Sequence, residues 1–173
     1  MKTVYIAMTA DFIHHGHMNI IEKARSLGQV TVGLLTDKAI SEHKRAPYLD
    51  FSQRKKIISN IEGIAKVIPQ DTRSYEQNLK LIKPNFVVHG DDWKKGFRKN
   101  IRKQVIELLD KWGGKLIEIP YTKGVSGTKM NEYLRTIGIT PDIRRKQLRR
   151  LIESKKIVRI IEAHNGLTGL VAE

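Results

Sequence analysis

Three histidines fall within four residues at His14-His15-Gly16-His17, just after an apolar run that ends at Met8. If this segment opens a helix, His14 and His17 share a face at its first turn. A helix start also presents unpaired backbone N–H groups and a partial positive charge, which seat a phosphate. Gly16 would let a phosphate approach the backbone without meeting a Cβ. Two imidazoles aimed at one phosphate would stabilise the charge that builds on it during transfer. Zinc is a poorer reading, because two histidines lack a third ligand; chance histidines on a solvated helix start are the plain alternative.

Three further clusters carry similar chemistry. His89-Gly90-Asp91-Asp92-Trp93 combines a glycine that permits close approach with an indole able to pack on a base or ribose; a turn with a partly buried tryptophan is the competing reading. Tyr121-Thr122-Lys123-Gly124-Val125-Ser126-Gly127-Thr128 offers hydroxyls and backbone N–H groups suited to phosphates, or simply a helix start capped by Ser126. Lys44-Arg45, with Arg54 beyond, could reach an anion or remain solvated loop charge.

These residues need elements to position them. Lys2 to Met8 reads as a buried strand. His17 to Leu27 has helical apolar spacing, and Gly28 sits where a C-terminal cap glycine belongs. Strands are expected at Gln29 to Leu35, Lys66 to Pro69, Phe86 to His89 and Leu116 to Ile119. Helices are expected at Phe51 to Ile61, Tyr75 to Ile82 and Asn100 to Trp112, and from Ser126 onward. Thr36 to Asp50 is read as a loop. This β-α-β-α order predicts an α/β fold, a Rossmann-like doubly wound parallel sheet with helices on both faces. Such sheets place ligands at the carboxyl ends of their strands, so the loops after Met8, Leu35, His89 and Ile119 are the ones that matter.

Composition limits the alternatives. Apolar residues make up 40% of the 173, enough for one domain with a core, and no window approaches a membrane span. The first apolar run is too short for a signal peptide, so a cytoplasmic protein is expected. The absence of cysteine removes disulfides and thiolate chemistry. The net charge of +14 is clustered, with six Lys/Arg in 94–103 and eight in 144–159. That leaves a nucleic-acid-binding module as a rival, although basic helix faces are usually just solvated.

Asp11-Phe12-Ile13-His14-His15-Gly16-His17 resembles the H-x-G-H signature of the nucleotidyltransferase superfamily, and more narrowly of its cytidylyltransferases. The resemblance implies that His14 and His17 stabilise the α-phosphate transition state, and that Thr9, Ala10, Asp11, His15 and Gly16 belong to the CTP site. Where the family opens with Gly-Thr-Phe-Asp, this chain has Met8-Thr9-Ala10-Asp11, keeping the threonine and aspartate only. The 121–128 segment is similar to the glycerol-phosphate-type Arg-Thr-Glu-Gly-Ile-Ser-Thr-Thr, matching at Thr122, Gly124, Ser126 and Thr128; Tyr121 replaces the arginine and removes a fixed charge. Gly90 to Trp93 resembles the Gly-Asp-Asp-Trp part of the nucleotide pocket. Lys44 and Arg45 resemble the family's mobile lysines, and either register of the two fits. Taken together, the resemblance implies CMP transfer from CTP. Acidic residues beside a triphosphate suggest Mg²⁺, with no ligands assigned. An adenylyltransferase of the same superfamily is the nearest rival, and a homodimer is expected.

The acceptor is less determined. A lysine that helps hold the acceptor phosphate in glycerol-phosphate members falls near Asn78 here. Residues 141–173 form a separate basic tail behind a 1–140 cytidylyltransferase domain. Ile161-Glu162-Ala163-His164-Asn165-Gly166-Leu167-Thr168 resembles the opening strand and loop of phosphoenolpyruvate mutase, an enzyme of phosphonate biosynthesis. The resemblance implies a fragment of a fusion to that barrel. It points the acceptor towards 2-aminoethylphosphonate or 2-hydroxyethylphosphonate, with glycerol 3-phosphate and phosphocholine as alternatives. A non-catalytic docking domain for the barrel is disfavoured by the intact His14 and His17.

Overall fold

In the computed structural model the described residues are 1–94, 98–120, 122 and 141–154, with the backbone alone for 141–143. In chain order the elements are β1 (Thr3–Met8), α1 (His15–Leu27), β2 (Gln29–Leu35), α2 (Asp37–Ser41), α3 (Phe51–Ser59), β3 (Ile64–Gln70), α4 (Glu76–Ile82), β4 (Phe86–Gly90), a 3₁₀ turn (Asp91–Lys94), α5 (Arg98–Asp110), β5 (Lys115–Ile119) and α6 (Pro141–Ser154). The helix expected from Ser126 lies outside the described residues.

All five strands are parallel, in the order β3-β2-β1-β4-β5. The chain steps outward from β1 to β3, then returns to the other side of β1 for β4 and β5. The strand order therefore reverses between β1 and β4, and the crevice opens there at the carboxyl ends. β1 is the central strand, and its alternation divides the core. Val4, Ile6 and Met8 pack with Ile21 and Ala24 of α1 and Ile58 of α3. Tyr5 faces the opposite side, with Leu79 of α4 and Val105, Leu108 and Leu109 of α5. Helices on both faces are the doubly wound arrangement expected from the element order. Each fully buried aliphatic side chain in these two layers contributes about 1.5–3 kcal/mol.

One local reading changes. Thr36 to Asp50 is not all loop: Asp37–Ser41 is a short helix capped by the Thr36 hydroxyl, which accepts from the Ala39 N–H at 3.3 Å. Five residues are too few to show a helical apolar period. Gly28 is the C-cap of α1, as expected, and packing adds a second demand for glycine, since a Cβ there would run into the Lys2 carbonyl just before β1. Pro141 opens α6, where its fixed φ and missing N–H suit a first turn. The Phe51 helix begins with a capping box in which Asp50 and Gln53 each bond the other's backbone N–H.

Candidate active site

The loop after β1 begins with Ala10, buried and left-handed at φ 55°, which turns the chain off the strand. Asp11 follows, and its carboxylate accepts from the Arg45 guanidinium at 2.8 Å and the Leu49 N–H at 3.1 Å. His14 is the N-cap of α1 in an extended conformation, with its side chain unused as a cap. The first turn holds no acidic residue, so the positive helix end is not neutralised there.

The His14 and His17 rings lie 4.0 Å apart between centroids, tilted by 43°. His15 points away, 6.4 Å from His14, and is exposed. Both His14 Nδ1 and His17 Nδ1 are buried without a hydrogen-bond partner among the described residues. Two imidazole nitrogens kept from water side by side are costly unless a partner reaches them. Burial, and secondarily the neighbouring ring, lowers the pKa of His17 to about 4 and moves His14 in the same direction. At pH 7 the pair is therefore neutral, and each ring still carries one N–H to donate.

That depression has a measurable consequence. The unfolded histidine binds its proton near pH 6.5, the folded His17 near 4. Between those values the unfolded chain takes up more protons, so stability present above pH 6.5 is lost as pH falls through the interval. The His17 contribution is on the order of 2 kcal/mol after allowing for its exposed edge. Thermal melts from pH 7 to 4 should show His17→Ala losing less stability than the parent chain; parallel losses would contradict the assigned burial.

The loop after β5 meets the loop after β1. Thr122 Oγ1 accepts from Asn19 Nδ2 at 3.1 Å. A Cβ on Gly16 would stand 3.0 Å from His14 Nδ1, so the missing side chain leaves room for the His14 ring, with the Thr122 Cβ 3.4 Å from the same point. Tyr121, Lys123, Gly124, Val125, Ser126, Gly127 and Thr128 lie outside the described residues.

The β2 side is organised by Arg54, which is fully buried. Its guanidinium donates to the carbonyls of Thr9 at 2.6 Å, Leu35 at 2.8 Å and Leu49 at 3.1 Å, and pairs with Asp37 at 2.6 Å. It therefore ties the ends of β1 and β2 to the following loop, and is not a cation offered to a ligand. Arg45 folds back over the Tyr48 ring at 3.8 Å while holding Asp11. Lys44 remains exposed. Its pKa is lowered by the surrounding protein and then by Arg98, Arg73 and Arg45, with Asp92 opposing.

Arg73 and Arg98 are functional candidates that sequence reasoning missed. Arg73 follows β3, a strand end left out of the expected loops although the carboxyl-edge rule covers it. Arg98, at the start of α5, was hidden in a general basic cluster; it pairs with Asp92 at 2.6 Å.

Trp93 takes a different place from the one expected. Its indole is 1% exposed, stacks on His89 at 3.8 Å and donates to Glu118 at 2.7 Å. Arg102 in turn grips Glu118, holding its carboxyl down at about 2 against its burial. The tryptophan, buried next to it, anchors the Gly90-Asp91-Asp92 turn, whose Asp92 carboxylate is paired with Arg98. His89 Nδ1 donates to the Gly90 carbonyl at 2.7 Å, which fixes the same turn. Asn78 is also a core residue. It donates to the Tyr5 hydroxyl at 2.9 Å and the Pro69 carbonyl at 3.0 Å, while Tyr5 donates to Gln70. No three potential metal ligands converge among the described residues. Nor is any described helix long and apolar enough to cross a membrane.

The sequence model of the Cytidylyltransferase-like family matches residues 7–133. Glycerol-3-phosphate cytidylyltransferase of Bacillus spizizenii is 32% identical over 136 residues, covering 76% of this chain and 96% of that protein. Ethanolamine-phosphate cytidylyltransferase of Dictyostelium discoideum is 32% identical over 131 residues, 73% of this chain but 35% of that longer protein. Among solved structures, the lipopolysaccharide core biosynthesis protein from Thermoplasma volcanium superposes with a TM-score of 0.61 at 20% identity, over 71% of this chain and 99% of that one, a likeness of fold.

Proposed function

The chain belongs to the cytidylyltransferase-like family, and on that premise we propose that it transfers CMP from CTP to an oxygen of a small phosphonate or phosphate monoester. The acceptor oxyanion attacks the α-phosphorus of CTP in line, the bond from that phosphorus to the bridging oxygen breaks, and pyrophosphate leaves with the electron pair. The attacking oxygen is already ionised at neutral pH, so no general base is required. Catalysis then consists of positioning and charge stabilisation.

The observation that carries this reading is the close pair of neutral imidazoles with orphaned buried nitrogens, set at an uncapped helix start beside Thr122. Their N–H groups are given to the α-phosphate oxygens. The 121–128 segment is given to the β- and γ-phosphates. Lys44 is assigned to the substrate phosphates directly, because it is the exposed one of the two loop cations. Arg45, spent on Asp11 and Tyr48, is assigned to holding the loop against the first motif. The described carboxylates do not form a cage for Mg²⁺, and both Asp11 oxygens already accept hydrogen bonds. In this reading the cation enters as the counter-ion of the triphosphate.

Two features favour a phosphonate such as 2-aminoethylphosphonate or 2-hydroxyethylphosphonate over glycerol 3-phosphate. The 161–168 segment resembles the start of phosphoenolpyruvate mutase. Asn78, where glycerol-phosphate members have a lysine, is committed to the core and brings no cation to an acceptor. Relatives named for glycerol 3-phosphate and ethanolamine phosphate keep phosphate monoesters as the second reading. Incubation with CTP or ATP and a panel of both phosphonates, glycerol 3-phosphate, phosphocholine and phosphoethanolamine should give the CMP adduct, fastest with a phosphonate. A CMP adduct with glycerol 3-phosphate alone would remove the phosphonate reading, and an AMP adduct would remove CTP.

A further inference from the structure

Helix α6 lies beyond the residues matched by the family, yet it docks against the β2 side of the site. Arg150 is its principal anchor. One guanidinium nitrogen donates to the Pro47 carbonyl at 2.6 Å and the Tyr48 carbonyl at 2.8 Å, and the other pairs with Asp37 at 3.0 Å. The second anchor is Ser154, whose hydroxyl donates to the fully buried Ser41 hydroxyl at 3.1 Å.

The spacing of these contacts is informative. Ser41 stands three residues before Lys44, and Pro47 two residues after Arg45. The stretch that carries both cations is therefore strung between two points fixed by one helix. Asp37 links the arrangement inward: its second oxygen is taken by Arg54, which holds the end of β1. We propose that α6 is a clamp that sets the position of the 42–46 segment, with Arg150 as a positioning residue for Lys44 and Arg45. The proposal rests on the reading that Lys44 meets substrate phosphates while Arg45 holds the loop. Ordering a loop costs conformational entropy, so a segment already held in place binds an anion without meeting that cost on each encounter.

The contacts suit arginine specifically. A planar fork reaches two carbonyls and a carboxylate together, whereas a lysine ammonium is a single point of donation. Arg149, on the same helix, is exposed and loses the same charge when replaced, without touching the loop.

The test uses the full chain with Arg150→Met, Arg150→Lys and Arg149→Ala. Amide exchange of the 42–50 peptide should rise about tenfold in Arg150→Met and stay at the parental rate in Arg149→Ala. KM for CTP or for the acceptor should rise about tenfold in Arg150→Met with kcat within threefold; Arg150→Lys should fall between, and Arg149→Ala within twofold of the parent. Unchanged exchange in Arg150→Met would overturn the clamp. So would an equal KM rise in Arg149→Ala, or full rescue by lysine, since either means bulk charge. Faster exchange with unchanged KM would overturn the positioning role. If the parent chain turns over no member of the acceptor panel, the proposed reaction fails by itself; exchange together with the Kd for pyrophosphate then decides the clamp.

Discussion

His17→Ala should lower kcat by on the order of 10²-fold or more while leaving the fold and the KM for CTP near those of the parent. The reason lies in when the interaction matters. A neutral imidazole hydrogen-bonds a ground-state phosphate weakly, but negative charge gathers on the α-phosphate oxygens as the acceptor arrives and pyrophosphate departs. A donor already fixed at that point needs no reorganisation, and its loss appears in kcat and kcat/KM together. His17 is the better-buried of the pair, so removing its ring also admits water beside His14 and weakens the remaining donor. His14→Ala should follow the same pattern, and the double variant should cost less than the product of the two because the rings act as a unit. Steady-state kinetics by pyrophosphate release, beside a melt to establish folding, decides the matter; a folded His17→Ala with parental turnover would end the proposed mechanism.

Arg54→Met should destabilise the chain by about 3–5 kcal/mol, seen as a fall in Tm on the order of 10 °C. The Phe51 ring beside it could pack a thioether, but the polar groups around the guanidinium would stay unmatched. The carbonyls of Thr9, Leu35 and Leu49 lose a shared donor, and Asp37 keeps Arg150 alone. Buried acceptors left without partners cost about 1–3 kcal/mol each, partly recovered if water enters. Arg54→Lys should recover little, because one ammonium cannot span three carbonyls and a carboxylate lying in different directions. Denaturant unfolding reads the loss directly. A variant within about 1 kcal/mol of the parent would mean that the loops after β1 and β2 hold their shape without this residue.

The elements that carry the site were largely legible because they are long and patterned. β1 reads as apolar on both faces because it lies at the centre of the sheet. α1 and α5 show helical periods because each buries one face. α2 was invisible because five residues give no period and its cap is an ordinary threonine. Side-chain destinations were harder still. Arg54 and Lys44 are both basic residues in the same stretch, and composition gives no reason for one to be fully buried and the other exposed. Trp93 and Asn78 are similar cases: residues able to touch a ligand, placed in the core by partners at Glu118 and Tyr5 that lie 25 and 73 positions away.

The sequence by itself determined the chemistry available: two histidines at helical spacing after a buried strand, glycine beside the first of them, and an alternation of elements that points to a parallel sheet covered by helices. These follow from local periods and from residue type, which one segment carries alone. Only the tertiary structure decided which polar groups face the crevice and which hold it together, and that a helix beyond the family's own span grips the loop of Lys44 and Arg45. Such assignments depend on which distant carbonyls and carboxylates come within about 3 Å, the range over which hydrogen bonds act, and no local pattern encodes that distance.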